Sequence, residues 1–332
     1  MNFNTPLSAR PVRPRSEQRP QVMTLRQLRE HGATAAEVAD RIRPGGSWQQ
    51  LLPGVYLLHP GAPTGEERVH AALLYAGRAP GSEEPGQEAM ITGPAALALH
   101  GFSSAAPLRT LDRVDVLVPR GRRLRSTGLV QLVRTQALPE PVEIGGVPVA
   151  PVPRALADVV ARLTDASAVR CLLTEAVRGG HCEPAPVVRE LGRCRLLSRP
   201  HVVDAVDTLL AEGRALTEGR LYEMVRTHAL PDPLWNVDLR LPGGPHLGGV
   251  DAYWPDHNVA LEIDGGAPHP DDQGVSDTAR RREYLERLGI TVVHTTPARL
   301  RESMAQQAAV IRTALTAAGD RDPAAYVVVL PR

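Results

Sequence analysis

The sequence predicts an α/β chain made of two unlike parts, on three observations. Helical and strand periodicities alternate along nearly the whole length. The last third follows a distinctive order, helix–strand–strand–strand–helix–strand. The charge also divides near the same point: residues 1–214 carry 26 arginines against 21 acidic residues, a balance of +5, and residues 215–332 carry 12 against 16, a balance of −4. The 332 residues are enough for two cores, since one core commonly serves ~100–200 residues.

Composition removes several classes. With 42% hydrophobic and 23% charged residues, wholesale disorder is excluded. The start, MNFNTPLSARPVRPRSEQRP, has no apolar signal core, and no long apolar run follows, so a cytoplasmic protein with no membrane span is expected. Cys171, Cys182 and Cys194 lack a C-x-x-C spacing and do not form a disulfide framework. His181–Cys182 reads as a buried thiol with its neighbour rather than a metal pair. All 38 basic residues are arginine, and the chain has no lysine.

In chain order, residues 1–22 are Pro/Arg-rich and aperiodic, a flexible tail. Residues 23–60 read as a small module. TLRQLREHG is a helix ended by Gly32, and Thr34 caps a second helix, AAEVADRI. A third helix-like turn is expected around Trp48, leading through Pro53–Gly54 into an apolar strand, with Gly54–Val55–Tyr56 opening a wing. This is the order of a winged helix-turn-helix. Trp48 and Tyr56 read as packing groups; Arg41 and Arg43 are phosphate-contact candidates or solvated helix ends.

Residues 61–214 form an α+β and then helical extension. EERVHAALLYAG and PAALALHG are helical, split by the acidic GSEEPGQE loop, and His100 reads as a satisfied core or capping residue. RVDVLVP and LVQLVRT alternate as strands. The basic segment between them carries Arg120, Arg122, Arg123 and Arg125, the footprint of phosphate contacts or a solvated loop. Helical pattern then resumes from Arg154 to about residue 213.

Residues 215–332 hold the chemistry. After a helix at 215–228 come strands NVDLRL, GGVDAYW and NVALEID, a helix near 276–288, strand ITVVHTT, a long helix after Pro297 and an edge strand, AYVVVLP. The turn at Pro255–Asn258 pairs Trp254 with Val259, which places Asp251 opposite Glu262. Directly opposed side chains have Cβ atoms ~5 Å apart, and like charges there are destabilising. Glu262 and Asp264 share a strand face. At an effective dielectric near 20, two charges ~4 Å apart repel by roughly 4 kcal/mol. A divalent cation relieves that conflict, and oxygen donors suit Mg2+ or Mn2+. A one-residue slip would instead turn the acids into ordinary surface groups. Gly265–Gly266 then returns the chain, with His269, towards the site.

The segments LTEGR, LPDPLWN, VDAYWP, LEIDGGAPH and ARRREYLERLGITVVH resemble the PD-(D/E)XK nuclease superfamily. More closely, they resemble the bacterial domain-of-unknown-function family related to very-short-patch-repair endonucleases, over about residues 215–316. The resemblance implies a restriction-endonuclease-like core, with Asp251 and Glu262 as metal ligands and Asp264 in or beside the set. It also implies a further acid, Glu218, from the first helix, and His269 as a proton-transfer or phosphate-contact group. Arg281 and Arg282 would face nucleic acid or brace the carboxylates. Three departures stand out: Asp264 replaces the superfamily lysine, His294 stands where an arginine is usual, and Ile290 replaces an aromatic.

The first half has its own resemblance. LRQLREHG, GSWQQLLPGVYLL, AALLYAG and ITGPAALALHGF resemble the abortive-infection type IV antitoxin family, over roughly residues 23–160. That implies a winged-helix DNA-binding module, autoregulating repression and a cognate toxin as partner. Two functions are therefore expected from different classes. One is a metal-dependent DNA endonuclease positioned by its N-terminal module. The other is a non-enzymatic DNA-binding regulator of antitoxin type whose nuclease fold is inactive.

Overall fold

The computed structural model describes residues 21–77, 89–264, 273–319 and 327–331. It is a mixed α/β protein with three sheets, divided into two compact units at residues 1–158 and 159–332. Residues 1–20 of the expected tail, the acidic GSEEPGQE loop and His269 lie outside the described residues, whereas Val22, expected at the tail's end, is buried in a strand.

The first unit begins with β1 (Val22–Thr24) and α1 (Leu25–Glu30). Thr24 caps α1 through a reciprocal pair of bonds with Gln27, and Thr34 does the same with Glu37 for α2 (Ala35–Arg41). Each box satisfies amides that the first helical turn leaves orphaned. Pro44–Gly45–Gly46 ends the helical run. A Cβ at Gly46 would lie 2.2 Å from the Arg41 carbonyl oxygen, so only glycine fits there.

The next segment departs from expectation. The helix expected at Trp48 is absent, and Gln49–Leu52 is a strand, β2, paired antiparallel with β3 (Val55–Leu57). Pro53–Gly54, with Gly54 at φ +72°, reverses the chain in two residues. Leu52, Val55 and Leu57 are then buried. Extended pairing uses those apolar residues better than a short helix carrying a proline. The sheet runs β1-β3-β2. Trp48 and Tyr56 pack with Met23, Leu28 and Val38, in the packing role expected of them.

The rest of the unit is α3 (Gly65–Ala76), β4 (Met90–Thr92), α4 (Gly93–Leu99), β5 (Val114–Pro119), β6 (Val130–Thr135), β7 (Val142–Ile144), β8 (Val147–Val149) and α5 (Val152–Val160). The second sheet has the order β6-β5-β4-β8-β7. Strands β5 and β6 are parallel, so the arginine-rich connection travels back along the strands before β6 starts. His100 ends α4 and its Nε2 lies 2.9 Å from the Ala150 carbonyl oxygen, a satisfied capping position.

The second unit opens with α6 (Ala166–Arg178), α7 (Pro184–Arg193) and α8 (Pro200–Thr227). Helix α8 runs unbroken through the expected boundary at 214/215, and the compact units instead divide at 158/159. Gly213 is no helix breaker here: a Cβ on it would meet Pro184 Cγ at 2.4 Å, so it gives α7 room to approach. None of the three cysteines forms a disulfide, and the Cys182 thiol is pushed up to about 12, by burial first and then by Glu183.

Next come β9 (Leu234–Arg240), β10 (His246–Trp254), β11 (Val259–Ile263), α9 (Gln273–Arg287), β12 (Thr291–Thr295), α10 (Pro297–Glu302), α11 (Met304–Gly319) and β13 (Val328–Pro331). The sheet order is β12-β11-β10-β9-β13; β11 and β12 are parallel, and the other pairs are antiparallel. Each sheet face carries its own core. Leu221, Met224, Trp254, Leu261 and Ile311 gather on one side. Tyr253, Ala260, Val292 and Leu285 of α9 gather on the other. Among the described residues no helix is long and apolar enough to cross a membrane.

Candidate functional site

The site grows from the β10–β11 hairpin. Trp254 opposes Val259, and Ala252 opposes Leu261, the register the sequence predicts. One step further along both strands brings Asp251 beside Glu262, on the face shared with Tyr253 and Ala260 and covered by α9. Asp251 is half-buried, and its Oδ2 accepts a 2.7 Å hydrogen bond from the Ile263 amide. That cross-strand bond fixes the carboxylate where β11 ends.

The Glu262 side chain is only 12% exposed. Arg281 reaches it from α9, with Nη2 2.7 Å from Oε1. The same guanidinium donates to the carbonyls of Leu247 at 2.8 Å and Gly249 at 2.7 Å. Gly248 makes this possible. It has φ +104°, and a Cβ there would lie 2.4 Å from Arg281 Nε, so the guanidinium lies directly against backbone. A charged fork with three acceptors is a strong, directional clamp. The expectation that Arg281 braces a carboxylate therefore describes its contacts. Arg282, exposed on α9, pairs with Glu286 at 2.9 Å.

His294 of β12 is the neighbour that the sequence did not place in the site. It lies in register with Glu262, and its Nδ1 is 3.8 Å from Glu262 Oε2 and 3.7 Å from Asp264 Oδ1. The sequence signal was there: the fourth residue of strand Thr291–Thr295 is a histidine directly after the apolar pair Val292–Val293. Asp264 is exposed, continuing the strand line through its amide bond to the Thr295 carbonyl, 2.8 Å. Glu218 sits half-buried on α8, and among the described residues no hydrogen bond or ion pair ties it to the strand acids. Among the described residues no three His, Cys, Asp or Glu side chains are already gathered as a metal cage.

The electrostatics follow from this packing. The Glu262 carboxyl is held above the usual carboxylate range, and burial is the largest cause. Arg281 and then His294 pull it down, while Asp251 and Asp264 push it up again. Asp251, Glu262 and Asp264 supply oxygen donors, the donor type that hard divalent cations take, so the side chains present fit Mg2+ or Mn2+.

In the first unit the arginines divide by role. Arg41 stacks over the Trp48 ring, 4.4 Å from its centroid, and Arg43 pairs with Asp40 at 2.9 Å on the surface. Arg120, Arg123 and Arg125 are exposed. Arg122 is half-buried and donates to the Ala76 carbonyl, which pins the basic connection to the end of α3. Tyr75 adds a 2.8 Å bond to the Arg125 carbonyl. Gly128 of the same connection lies against Leu52 of β2.

No protein-family model matches this chain, and no curated protein matches it.

Proposed function

We propose that the protein is a metal-dependent DNA endonuclease whose first part binds DNA and whose second unit hydrolyses it. The observation that carries this reading is the directly opposed pair Asp251 and Glu262, set under α9 with Asp264 on the same face. A binding or structural sheet gains nothing from that repulsion, whereas a cation site requires it. The order α8-β9-β10-β11-α9-β12 supports a restriction-endonuclease-like core. The order β1-α1-α2-β2-β3 supports a winged helix-turn-helix, with α1 and α2 as its helical pair and β2–β3 as its wing.

Asp251 and Glu262 would hold Mg2+ or Mn2+, with Asp264 beside them. When bound, the ion supplies a lowered water pKa and stabilises charge on the scissile phosphate. Arg281 keeps Glu262 in one rotamer while leaving Oε2 open towards His294. The Ile263 amide holds Asp251. His269, close in sequence to Asp264, is the candidate for proton transfer or phosphate contact, since no lysine exists to do either. Arg41, Arg43, Arg120, Arg123 and Arg125 would meet DNA phosphates.

A second reading is favoured by one observation, the Arg281 clamp. A guanidinium already neutralising Glu262, in a chain without lysine, suits a non-enzymatic DNA-binding regulator of antitoxin type with a cognate toxin as partner. Calorimetric titration separates the two. The nuclease reading expects Mg2+ or Mn2+ binding that disappears in the Asp251→Ala/Glu262→Ala double variant; heatless titration at about millimolar metal, with and without DNA, leaves the regulator.

A further inference from the structure

Helix α9 runs through three consecutive arginines, Arg280, Arg281 and Arg282, and packing gives each a different place. Arg281 turns inward to Glu262, and Leu285 is buried one turn further on. With 3.6 residues per turn, the positions on either side of that inward face fall on two flanks. Arg282 and Glu286 share one flank and neutralise each other at 2.9 Å. Arg280, Tyr284 and Arg287 share the other, spaced as helix neighbours are. Arg280 is exposed, with no hydrogen bond or ion pair among the described residues. Arg287 pairs with Glu283, yet both side chains are exposed, by 71% and 63%, and such a surface pair is weakly held. Tyr284 stands between the two arginines, 40% exposed, and its hydroxyl has no partner among the described residues.

We infer that the Arg280–Tyr284–Arg287 flank is the surface by which the second unit holds the backbone of duplex DNA. Arg280 and Arg287 meet phosphates of one strand, and Tyr284 packs on the sugars between them. The inference rests on the nuclease reading above and names the face of α9 that meets the substrate. Residues 215–332 balance to −4, so most of this part of the chain repels a duplex, and a local pair of cations sets the face it approaches. The two arginines stand roughly 10 Å apart along the helix axis. That is about three phosphate steps of one strand, at ~3.4 Å of rise each. Arginine and tyrosine side chains are ordinary phosphate and sugar contacts, which position a duplex without reading its sequence. The same helix carries Arg281 to Glu262, so a strand held here is anchored to the element that fixes the carboxylate.

Photo-crosslinking of the full chain to a short duplex, with Ca2+ as the divalent ion, tests this directly. The photoreactive residue p-benzoylphenylalanine replaces Tyr284 in one sample and Glu286, on the opposite flank, in another. Crosslinks to DNA are expected from position 284 and not from position 286. In binding isotherms, Arg280→Ala and Arg287→Ala are each expected to lower the salt slope by about 1, and Arg282→Ala to leave it unchanged. Equal crosslinking from both positions, or none from position 284 while the duplex is bound, overturns the inference and leaves DNA binding by the first part standing. An equal fall in slope for Arg282→Ala, or no fall for Arg280→Ala, does the same. A wild type that binds no duplex overturns both the inference and the DNA-cleaving reading beneath it.

Discussion

Replacing Gly248 by alanine isolates the device that orients Glu262. The new Cβ would stand 2.4 Å from Arg281 Nε, 2.7 Å from Cζ and 2.9 Å from Nη2, so the guanidinium has to leave. Two costs add. An alanine at the left-handed φ of +104° is strained, by roughly 1–2 kcal/mol. Arg281 also gives up its acceptors at Leu247, Gly249 and Glu262. One charge-assisted bond nets about 1.5–3 kcal/mol, and water replaces part of the rest because the side chain is 32% exposed. The total is about 3–5 kcal/mol, and with roughly 2–4 °C per kcal/mol for a unit of this size the melting temperature falls by about 6–20 °C. Urea unfolding of the wild type, Gly248→Ala, Arg281→Ala and the double variant measures it. In the Arg281→Ala background, Gly248→Ala should cost only the backbone strain, about 1–2 kcal/mol, leaving a coupling of about 2–3 kcal/mol. Strict additivity, to within about 0.5 kcal/mol, refutes the clamp.

Three further outcomes are expected. Because the Glu262 pKa is raised in the folded state, the folded protein holds this proton more tightly than the unfolded chain does. Its stabilising contribution is thus complete below the unfolded value and is lost as pH rises through the folded one. Urea unfolding between about pH 4 and 8 should therefore show Glu262→Gln gaining on the wild type as pH rises, and a gain towards low pH contradicts the burial argument. In DNA-binding isotherms, Arg123→Ala and Arg125→Ala should each weaken affinity across sequences and lower the salt slope by about 1. Arg122→Ala should act mainly on thermal stability, since its guanidinium holds the Ala76 carbonyl. Arg154→Leu should cost about 3–5 kcal/mol in denaturant unfolding, because it removes the cation facing buried Asp158, which is 7% exposed and takes bonds of 2.7 and 3.1 Å from Arg154 beside one of 2.6 Å from the Thr92 hydroxyl.

The carboxylate hairpin was legible because its information is local. The apolar run of VALEI, a four-residue turn and period-two strand geometry fix which acids face each other, and no distant residue is needed. The Arg281 clamp was half legible. The helix and its arginines show in the sequence, but the acceptors lie at a β-bulge around Gly248, and bulges leave no reliable composition signal. His294 was read only as a departure from a family pattern, because its value comes from parallel pairing of β12 with β11, a non-local contact. Two departures lie at glycine or proline. The helical pattern from Arg154 is expected to end near residue 213, yet the helix continues, with the missing Cβ of Gly213 making room for Pro184. Pro53–Gly54 reads as the exit from a helix, yet it is the tip of a hairpin whose first strand begins at Gln49. In both places tertiary packing overrides the local signal.

The central claim is that Asp251 and Glu262 support metal-dependent phosphodiester hydrolysis. Incubating purified protein with supercoiled plasmid and Mg2+ or Mn2+, beside the Asp251→Ala/Glu262→Ala double variant, tests it most directly. Nicked or linear DNA is expected with metal, none with chelator, and none from the double variant. Equal cutting by that variant, or intact plasmid with either metal, contradicts it.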